Sequence, residues 1–305
     1  MLIYNSLNNV SLTENTAVAV GFFDGMHIGH QKVVETALSY KKQGLKTCVF
    51  SFVVGQSSYR KERATHRILS MKDKAEFLRG MGVDYLISPN FDEFKNLMPF
   101  EFVRDILYTK LKTKVVCCGS DFRYGKDAAG NVSLLTGDCM NFGIKTEIVD
   151  SVNIDDTTAS STVIRGALQS GELELAAKVL GRPYHYTLTV IEGKKLGRKL
   201  GFPTINQCFP LDHVKPMDGV YVSVARVRGV DYPAVTSIGK NPTVDGKNIV
   251  SETHIIGVNE DLYGEDVTIS IYKFLRPQYK FDSIEKLTKQ IGKDIEKTKG
   301  MFGIK

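Results

Sequence analysis

Residues 17–30 read AVAVGFFDGMHIGH and combine a strand pattern with a glycine-rich turn that leads into a helix. Ala17 to Phe23 is an apolar run typical of a buried parallel strand, and Gln31 to Gln43 places apolar side chains on one helical face. Glycines let the backbone approach a ligand, and free N–H groups at a helix start attract phosphate. His27 and His30 are three residues apart and share one face of a helical turn. The stretch predicts a phosphate site at the end of a parallel strand.

The same alternation of strands and helices continues through the first half of the chain. It favours a parallel sheet covered on both faces. The break at residues 181–183 (Gly-Arg-Pro) predicts two domains, 1–182 and 183–305. The further elements predicted before this break are the strands Thr47–Phe52, Asp84–Ser88, Val115–Gly119 and Thr146–Val149 and the helices Met71–Met81, Pro99–Lys112, Thr162–Gly171 and Glu172–Leu180.

After Tyr184 the pattern changes to closely spaced strands with turn residues between them. This spacing predicts a small antiparallel barrel or sandwich, so the fold class is α/β plus β. One terminal helix follows, with a capping box of Asp282 and Glu285. The predicted strands are Tyr186–Ile191, Gly219–Val227, Ala234–Ile238, Glu252–Val258 and Val267–Phe274.

The composition excludes several classes of protein. With 305 residues, 42% of them hydrophobic and 24% charged, the chain is typical of a globular protein. A formal charge of +6 suits anionic small molecules as well as nucleic acid, but no long basic block favours nucleic acid. Five cysteines without CxxC spacing argue against a disulfide scaffold or a structural zinc site. No secretory signal or long apolar run is present, so we expect a soluble cytoplasmic protein of undetermined oligomeric state, without membrane or nucleic-acid partners.

Two further segments carry polar groups at element ends. GSDFRYG (residues 119–125) follows a predicted strand, and TASSTVIR (residues 158–165) places hydroxyls at a helix start with Arg165 one turn later. Hydroxyls and N–H groups there can hold phosphate, and an arginine can neutralise it. Taken alone, the first segment is equally a connecting loop. The second is then better explained as a capped helix with a solvated arginine.

GFFDGMHIGH, GSDFRYG and SSTVIR, in this order, resemble the nucleotidyltransferase module of prokaryotic bifunctional riboflavin kinase/FAD synthetases. The resemblance implies a Rossmann-like domain of the HxGH group and the reaction FMN + ATP → FAD + diphosphate with Mg²⁺. It implies that His27 and His30 bind the ATP phosphates, with Ser161 and Arg165 completing the phosphate site. The resemblance also implies nucleotide contacts at Gly21, Phe22, Asp24 and Gly29 and a flavin side shaped by Asp121 and Phe122.

One departure from this family concerns the flavin side. Family members usually carry a histidine–proline motif just after the second strand, whereas residues 51–56 here read SFVVGQ. Three outcomes stay open for adenylylation: it is weak, it is lost, or it uses another phosphorylated acceptor. A flavin-binding regulatory protein with degenerate catalytic sites is a further alternative.

The second half contains a basic glycine-rich loop, GKKLGRKLGFPTIN, at residues 193–206. Such a loop can cover nucleotide phosphates, although it lacks the Walker pattern and is equally compatible with a basic hairpin turn. Thr204 and Asn206 supply oxygens at alternating positions, and Mg²⁺ prefers hard oxygen ligands. Glu252 at a strand start could act as a base but could also be a solvated surface residue. Arg276 could face a ligand or water.

With SIGKNPTV, SETH, DLYG and FLRPQYKF following in order, this loop resembles the riboflavin kinase module of the same family. The similarity runs from about Val18 to Asp294, with Ile205 where the family motif has alanine. It implies the reaction riboflavin + ATP → FMN + ADP. The resemblance implies nucleotide contacts at Gly193, Lys195 and Gly201, Mg²⁺ and phosphate binding by Thr204 and Asn206, activation of the terminal ribityl hydroxyl by Glu252, and a position beside the flavin for Arg276.

Overall fold

The computed structural model describes residues 1–54, 66–193, 197, 200–240 and 249–304. The chain divides into two compact units. The first unit comprises Met1–Ala64 and Lys74–Ser160, and the second comprises Thr65–Asp73 and Ser161–Lys305. The domain boundary after residue 182 stays a prediction.

The first unit is built on a six-stranded parallel sheet in the order β1-β4-β3-β2-β5-β6. The strand–helix alternation of the sequence predicted this architecture, and it is confirmed. The elements are β1 Leu2–Tyr4, β2 Thr16–Val20, α1 Ile28–Ser39, β3 Lys46–Phe50, α2 Met71–Met81, β4 Tyr85–Ile87, α3 Pro99–Glu101, which continues as a π-helix over Phe102–Lys110, β5 Thr113–Gly119, α4 Val132–Met140, β6 Lys145–Val149 and a small hairpin of β7 Asn153–Ile154 and β8 Thr157–Thr158.

Strand β2 decides where a ligand can bind in this sheet. All five of its residues are buried, and it pairs with β3 on one side and β5 on the other. The chain adds β3 and β4 on one side of β2 and then crosses over to β5 and β6. At such a reversal the connections leave in opposite directions, so a crevice opens at the carboxyl ends of the two central strands. Gly21, just after β2, and Gly119, the last residue of β5, lie at this edge.

The structure differs from the predicted elements in several places, and helix α4, the β7–β8 hairpin and the strand Ile205–Cys208 were not predicted. Strand β1 was missed, because its three residues are too few to show a pattern. The strand predicted through Phe23 ends at Val20, since Phe23 has φ of 52°, outside the strand region. The terminal helix is capped by Ser283 rather than Asp282, because the Ser283 hydroxyl accepts the N–H of Lys286.

The second unit is a curled antiparallel half-barrel of six strands in the order β10-β13-β12-β11-β14-β9, and the predicted small antiparallel β domain is confirmed. The N–H of Ile191 donates to the carbonyl of Asn206 at 2.8 Å and bridges the two edges of the sheet. The elements are α5 Ser161–Ser170, α6 Leu173–Leu180, β9 Tyr184–Thr189, β10 Ile205–Cys208, β11 Gly219–Val227, β12 Val230–Lys240, β13 Ile249–Ile255, β14 Asp266–Arg276 and α7 Ile284–Met301.

The inner face of this sheet carries a chain of buried hydroxyls. The Thr236 hydroxyl lies 2.7 Å from Ser223 and 2.9 Å from Thr253, which joins strands β11, β12 and β13. Tyr186 on β9 reaches across to Ser251 at 2.8 Å. A buried hydroxyl without a hydrogen-bond partner costs free energy. This network of hydroxyls therefore favours one register of the strands.

Helix α7 packs on the outer face, where Ile295 meets Val220 and Val235. A buried ion pair holds it there: the Arg276 guanidinium donates to Asp294 at 2.9 and 2.8 Å, and the two side chains are only 15% and 2% exposed. Gln290 also donates to Asp294. The pair therefore links the end of β14 to the helix.

All five cysteines are free, and four of them are buried. Burial raises the pKa of the Cys117 thiol to about 12, so it stays protonated at neutral pH. In the described part of the chain, none of the helices has the length and apolarity that crossing a bilayer requires.

We expect Asp294→Ala to lower the free energy of unfolding by about 3–5 kcal/mol, because it leaves the Arg276 charge buried without its partner. The matched control on the same helix is Asp282→Ala, since Asp282 is 86% exposed and pairs only with the exposed Lys286. The control is expected to lose less than about 1 kcal/mol. Urea unfolding followed by circular dichroism measures both values, and equal losses would contradict the assignment.

Candidate functional site

The two histidines of the first turn stack at the N-terminus of α1. His27 is the N-cap residue, and its Nδ1 accepts a hydrogen bond from the backbone N–H of His30 at 3.3 Å. The ring centroids lie 3.5 Å apart with an interplanar angle of 24°. Because Nδ1 is an acceptor, the proton of neutral His27 resides on Nε2. The helix start thus combines an imidazole with the backbone N–H groups of the first helical turn, an arrangement suited to phosphate.

Gly29 lies between the histidines because the His27 ring folds over it. A Cβ at this position would lie 3.1 Å from His27 Cε1 and 3.2 Å from Nδ1, closer than ordinary contact. Any larger residue would push the imidazole away from the helix start. The position of the His27 ring therefore requires glycine at position 29.

His30 is held in its neutral form. Desolvation, followed by the nearby charges of His27 and Lys74, lowers its pKa well below the usual 6.5. Its Nδ1 is buried, and no hydrogen-bond partner for it exists within the described residues. An orphaned polar atom at a sheet edge of this kind indicates a place for a ligand atom.

The turn between the strand and the histidines has a strained backbone. Phe23 and Met26 have φ of 52° and 47°, and both side chains are almost fully buried. Asp24 between them is also buried. Left-handed geometry costs free energy in residues other than glycine, so burial of these side chains must hold the turn in place.

Lys74 supports this turn and was missed from the sequence. Only 4% of it is exposed, and its Nζ donates to the carbonyl of Phe22 at 2.8 Å and to the Ser51 hydroxyl at 3.1 Å. Ser51 donates to the same carbonyl at 2.9 Å. Lys74 thereby joins the turn after β2 to the end of β3. A lysine in an amphipathic helix more often faces solvent, so the sequence held no signal for this role.

A cavity of about 440 Å³ opens beside Gly21 at the same sheet edge. We call it the aromatic cavity. Phe52 is one of its lining residues, and its ring centroid lies 5.0 Å from that of Phe22 and 5.2 Å from that of Phe91. Phe122 and Tyr124 stack in parallel at 5.7 Å. The aromatic side chains that line the cavity are Phe50, Phe52, Phe91, Phe94, Phe102, Phe122 and Tyr124.

Sequence reasoning had named only Phe122 among these rings. The phenylalanines of PNFDEF (residues 89–94) were a signal, but their meeting with Phe52 depends on the pairing of β3 and β4. Asp121 is exposed, close above the end of β5, where a Cβ on Gly119 would lie 2.9 Å from its Oδ1. The last part of the SFVVGQ segment, residues 55 and 56, lies outside the described residues.

Ser161 and Arg165 belong to the second unit. Ser161 begins α5, and Arg165 Nε donates to the carbonyl of His66 at 2.8 Å. His27 and His30 belong to the first unit. The share of Ser161 and Arg165 in the phosphate site stays a prediction.

In the second unit, strand register aligns the candidate kinase residues. Asn206 on β10 is directly opposite Glu252 on β13, which is directly opposite Ser237 on β12. Directly opposite residues point to the same face of a sheet. We call Asn206, Glu252 and Ser237 the polar row. The same line continues through Val220 to Arg276.

Two glycines of the basic segment lie against Asn206 and Thr204. A Cβ on Gly193 would lie 2.3 Å from Asn206 Nδ2, and a Cβ on Gly197 would lie 3.2 Å from Thr204 Oγ1. The backbone at these two glycines thus occupies the space that side chains would need. Gly201 is exposed with φ of 82°, and Lys195 lies outside the described residues.

Arg276 is fixed by neighbours rather than reaching into solvent. Besides its pair with Asp294, its guanidinium lies 4.9 Å from the ring of Tyr279 and 5.8 Å from that of Phe281. These contacts define its position at the far end of the line from Asn206. A role beside a flavin stays a prediction.

Comparison with known proteins covers nearly the whole chain. The sequence model of the FAD synthetase family matches residues 10–163, and that of the riboflavin kinase family matches residues 180–302. A bifunctional riboflavin kinase/FMN adenylyltransferase of Listeria monocytogenes is 37% identical over 94% of this chain and 93% of its own length. The Escherichia coli K12 protein of that name is 32% identical over 100% and 99%. A solved structure described as a macrolide-efflux protein from Streptococcus pneumoniae is 29% identical over 98% of both chains, with a TM-score of 0.85.

We expect Lys74→Met to raise the pKa of His30, because a nearby positive charge disfavours the protonated imidazole. The pKa should stay below 6.5, since desolvation is the larger cause. Ring proton shifts followed by NMR against pH measure the change. Lys32→Met, on the exposed side of α1, is the matched control and should leave the titration unchanged. An unmoved curve in the Lys74 variant would refute the coupling.

Proposed function

The chain belongs to the family of bifunctional riboflavin kinase/FMN adenylyltransferases, and on this premise we propose that it converts riboflavin to FAD in two ATP-dependent steps. The second unit makes FMN, and the HxGH site adenylylates it. The observation that carries the proposal is the polar row, in which the carboxylate of Glu252 and the amide of Asn206 are directly opposite, with Gly193 packed against the amide. A cytoplasmic location belongs to the same proposal.

In the kinase step Glu252 acts as the general base. Its exposed carboxylate accepts the proton of the terminal ribityl hydroxyl. That oxygen then forms a bond to the γ-phosphorus of ATP as the bond to the β-phosphate oxygen breaks, and ADP leaves. The loop backbone beside Asn206 and Thr204 binds the phosphates and places the γ-phosphorus within reach, since such transfer depends mainly on positioning and charge neutralisation.

Thr204 and Asn206 also suit Mg²⁺. Their side chains supply hard oxygens, and the missing side chains of Gly193 and Gly197 leave a cradle against them. A metal held here together with phosphate oxygens would neutralise charge on the triphosphate. Within the described residues no group of three or more His, Cys, Asp or Glu could hold a metal.

In the adenylylation step a phosphate oxygen of FMN forms a bond to the α-phosphorus of ATP, and diphosphate leaves. His27 donates from Nε2–H and neutral His30 donates from its ring as charge builds on the α-phosphate. The N-terminus of α1 adds backbone N–H groups.

The aromatic cavity is the place for the flavin ring of FMN. Its volume of about 440 Å³ is that of an ordinary ligand pocket, and a planar ring system stacks well on phenylalanine faces. Phe52 lies in the segment where the family motif is missing, so ring stacking replaces the contacts of that motif. This lining favours FMN over an acceptor without a large ring.

Two variants separate the two reactions. Glu252→Gln should slow FMN formation from riboflavin by about 10²–10⁴-fold but leave FAD formation from added FMN unchanged. His30→Ala should slow FAD formation from added FMN by about 10²–10³-fold but leave FMN formation from riboflavin unchanged. Chromatographic separation of flavins after incubation with Mg·ATP measures both. Flavin binding without ATP consumption by the unmodified protein would instead favour the regulatory alternative.

The cavity can be tested by truncating one ring. Phe52→Ala should raise KM for FMN about tenfold, because a loss of about 1.4 kcal/mol of ring contact corresponds to that factor. KM for ATP should not change. Phe100→Ala is the matched control, since Phe100 is 42% exposed and does not line the cavity. An equal rise in both KM values of the Phe52 variant would argue against a flavin site here.

A further inference from the structure

Ser237 ends the polar row and holds the side chain of Gln278. Gln278 Nε2 donates to Ser237 Oγ at 2.7 Å. Ser237 itself lies directly opposite Glu252, one strand spacing of about 4.8 Å away. The amide is thus brought to the neighbourhood of the proposed base, although it belongs to the segment after β14 and is 41 residues distant in sequence.

Strand β12 leaves room for this amide. A Cβ built on Gly239 would lie 2.2 Å from Gln278 Oε1 and 2.8 Å from Nε2. A side chain at position 239 would therefore displace Gln278. The amide, although exposed, lies against the strand because Gly239 has no side chain, and this is a second observation independent of the hydrogen bond.

The pair offers a particular chemistry. A serine hydroxyl and a glutamine amide are neutral, and each can both donate and accept hydrogen bonds. A chain of alcohol groups has the same double capacity at every hydroxyl. A carboxylate can only accept hydrogen bonds and an ammonium group can only donate them, so each would match a hydroxyl in one direction only.

We propose that Ser237 and Gln278 bind inner hydroxyls of the ribityl chain of riboflavin and thereby place its terminal hydroxyl at Glu252. The inference rests on the proposed kinase function and adds two residues that select a polyol-bearing flavin. They touch the part of the substrate that does not react, so their contribution lies in substrate binding and not in proton transfer.

The experiment compares riboflavin with lumiflavin, which has the same ring but a methyl group in place of the ribityl chain. Flavin fluorescence gives both dissociation constants in the presence of Mg·ADP, for the full chain and for Gln278→Leu, Gly239→Ala and the control Gln43→Leu. Gln43 is exposed in the first unit. Gly239→Ala leaves Gln278 in the sequence but displaces its amide. It therefore separates the effect of where the amide lies from the effect of removing it.

We expect the first two variants to bind riboflavin about threefold to tenfold more weakly, as the loss of one or two hydrogen bonds predicts. Lumiflavin affinity should be unchanged. Equal weakening of both flavins, or no weakening of riboflavin, overturns the inference while FMN formation by the unmodified protein upholds the kinase function. If the unmodified protein neither binds nor phosphorylates riboflavin, the kinase function itself fails and the inference falls with it.

Discussion

The register of strand β13 is the constraint on which the kinase half depends. Side chains alternate between the faces of a strand, so a slip of one residue would turn Glu252 to the inner face and Thr253 to the outer one. The inner hydroxyl chain opposes this slip, because Thr253 bonds to Thr236 and Ser251 bonds to Tyr186. Buried hydroxyls on the inner face thereby determine which residues form the polar row on the outer face.

In the first unit, the position of the histidines also depends on buried contacts, but these contacts hold a turn and not a strand register. Its histidines follow a turn that the backbone would not adopt by itself, since Phe23 and Met26 have positive φ. Burial of both side chains and the bonds from Lys74 to the Phe22 carbonyl and Ser51 hold the turn. Desolvation, followed by the charge of His27 and then by that of Lys74, lowers the pKa of His30. One lysine thus contributes both to the shape and to the protonation state of the site.

The departure from the family motif has a physical counterpart in the structure. The segment after β3 lacks the histidine and proline, but Phe52 there meets rings from a distant part of the chain at 5.0 to 5.6 Å. Stacking and burial can bind a planar ring without a specific polar contact. The local sequence shows only the loss of the motif, because the rings that meet Phe52 come from residues far apart in sequence.

The sequence by itself determined the two-part organisation, the parallel and antiparallel sheets and the short motifs around His27 and Thr204, because these follow from local periodicity and from residues a few positions apart. It also identified the family. Only the tertiary structure decided that Asn206, Glu252 and Ser237 form one row, that Lys74 is buried beneath the first turn, and that Gln278 lies on Gly239. These features depend on strand pairing and on packing between segments that are distant in sequence. Local sequence patterns do not show the free energy of such contacts.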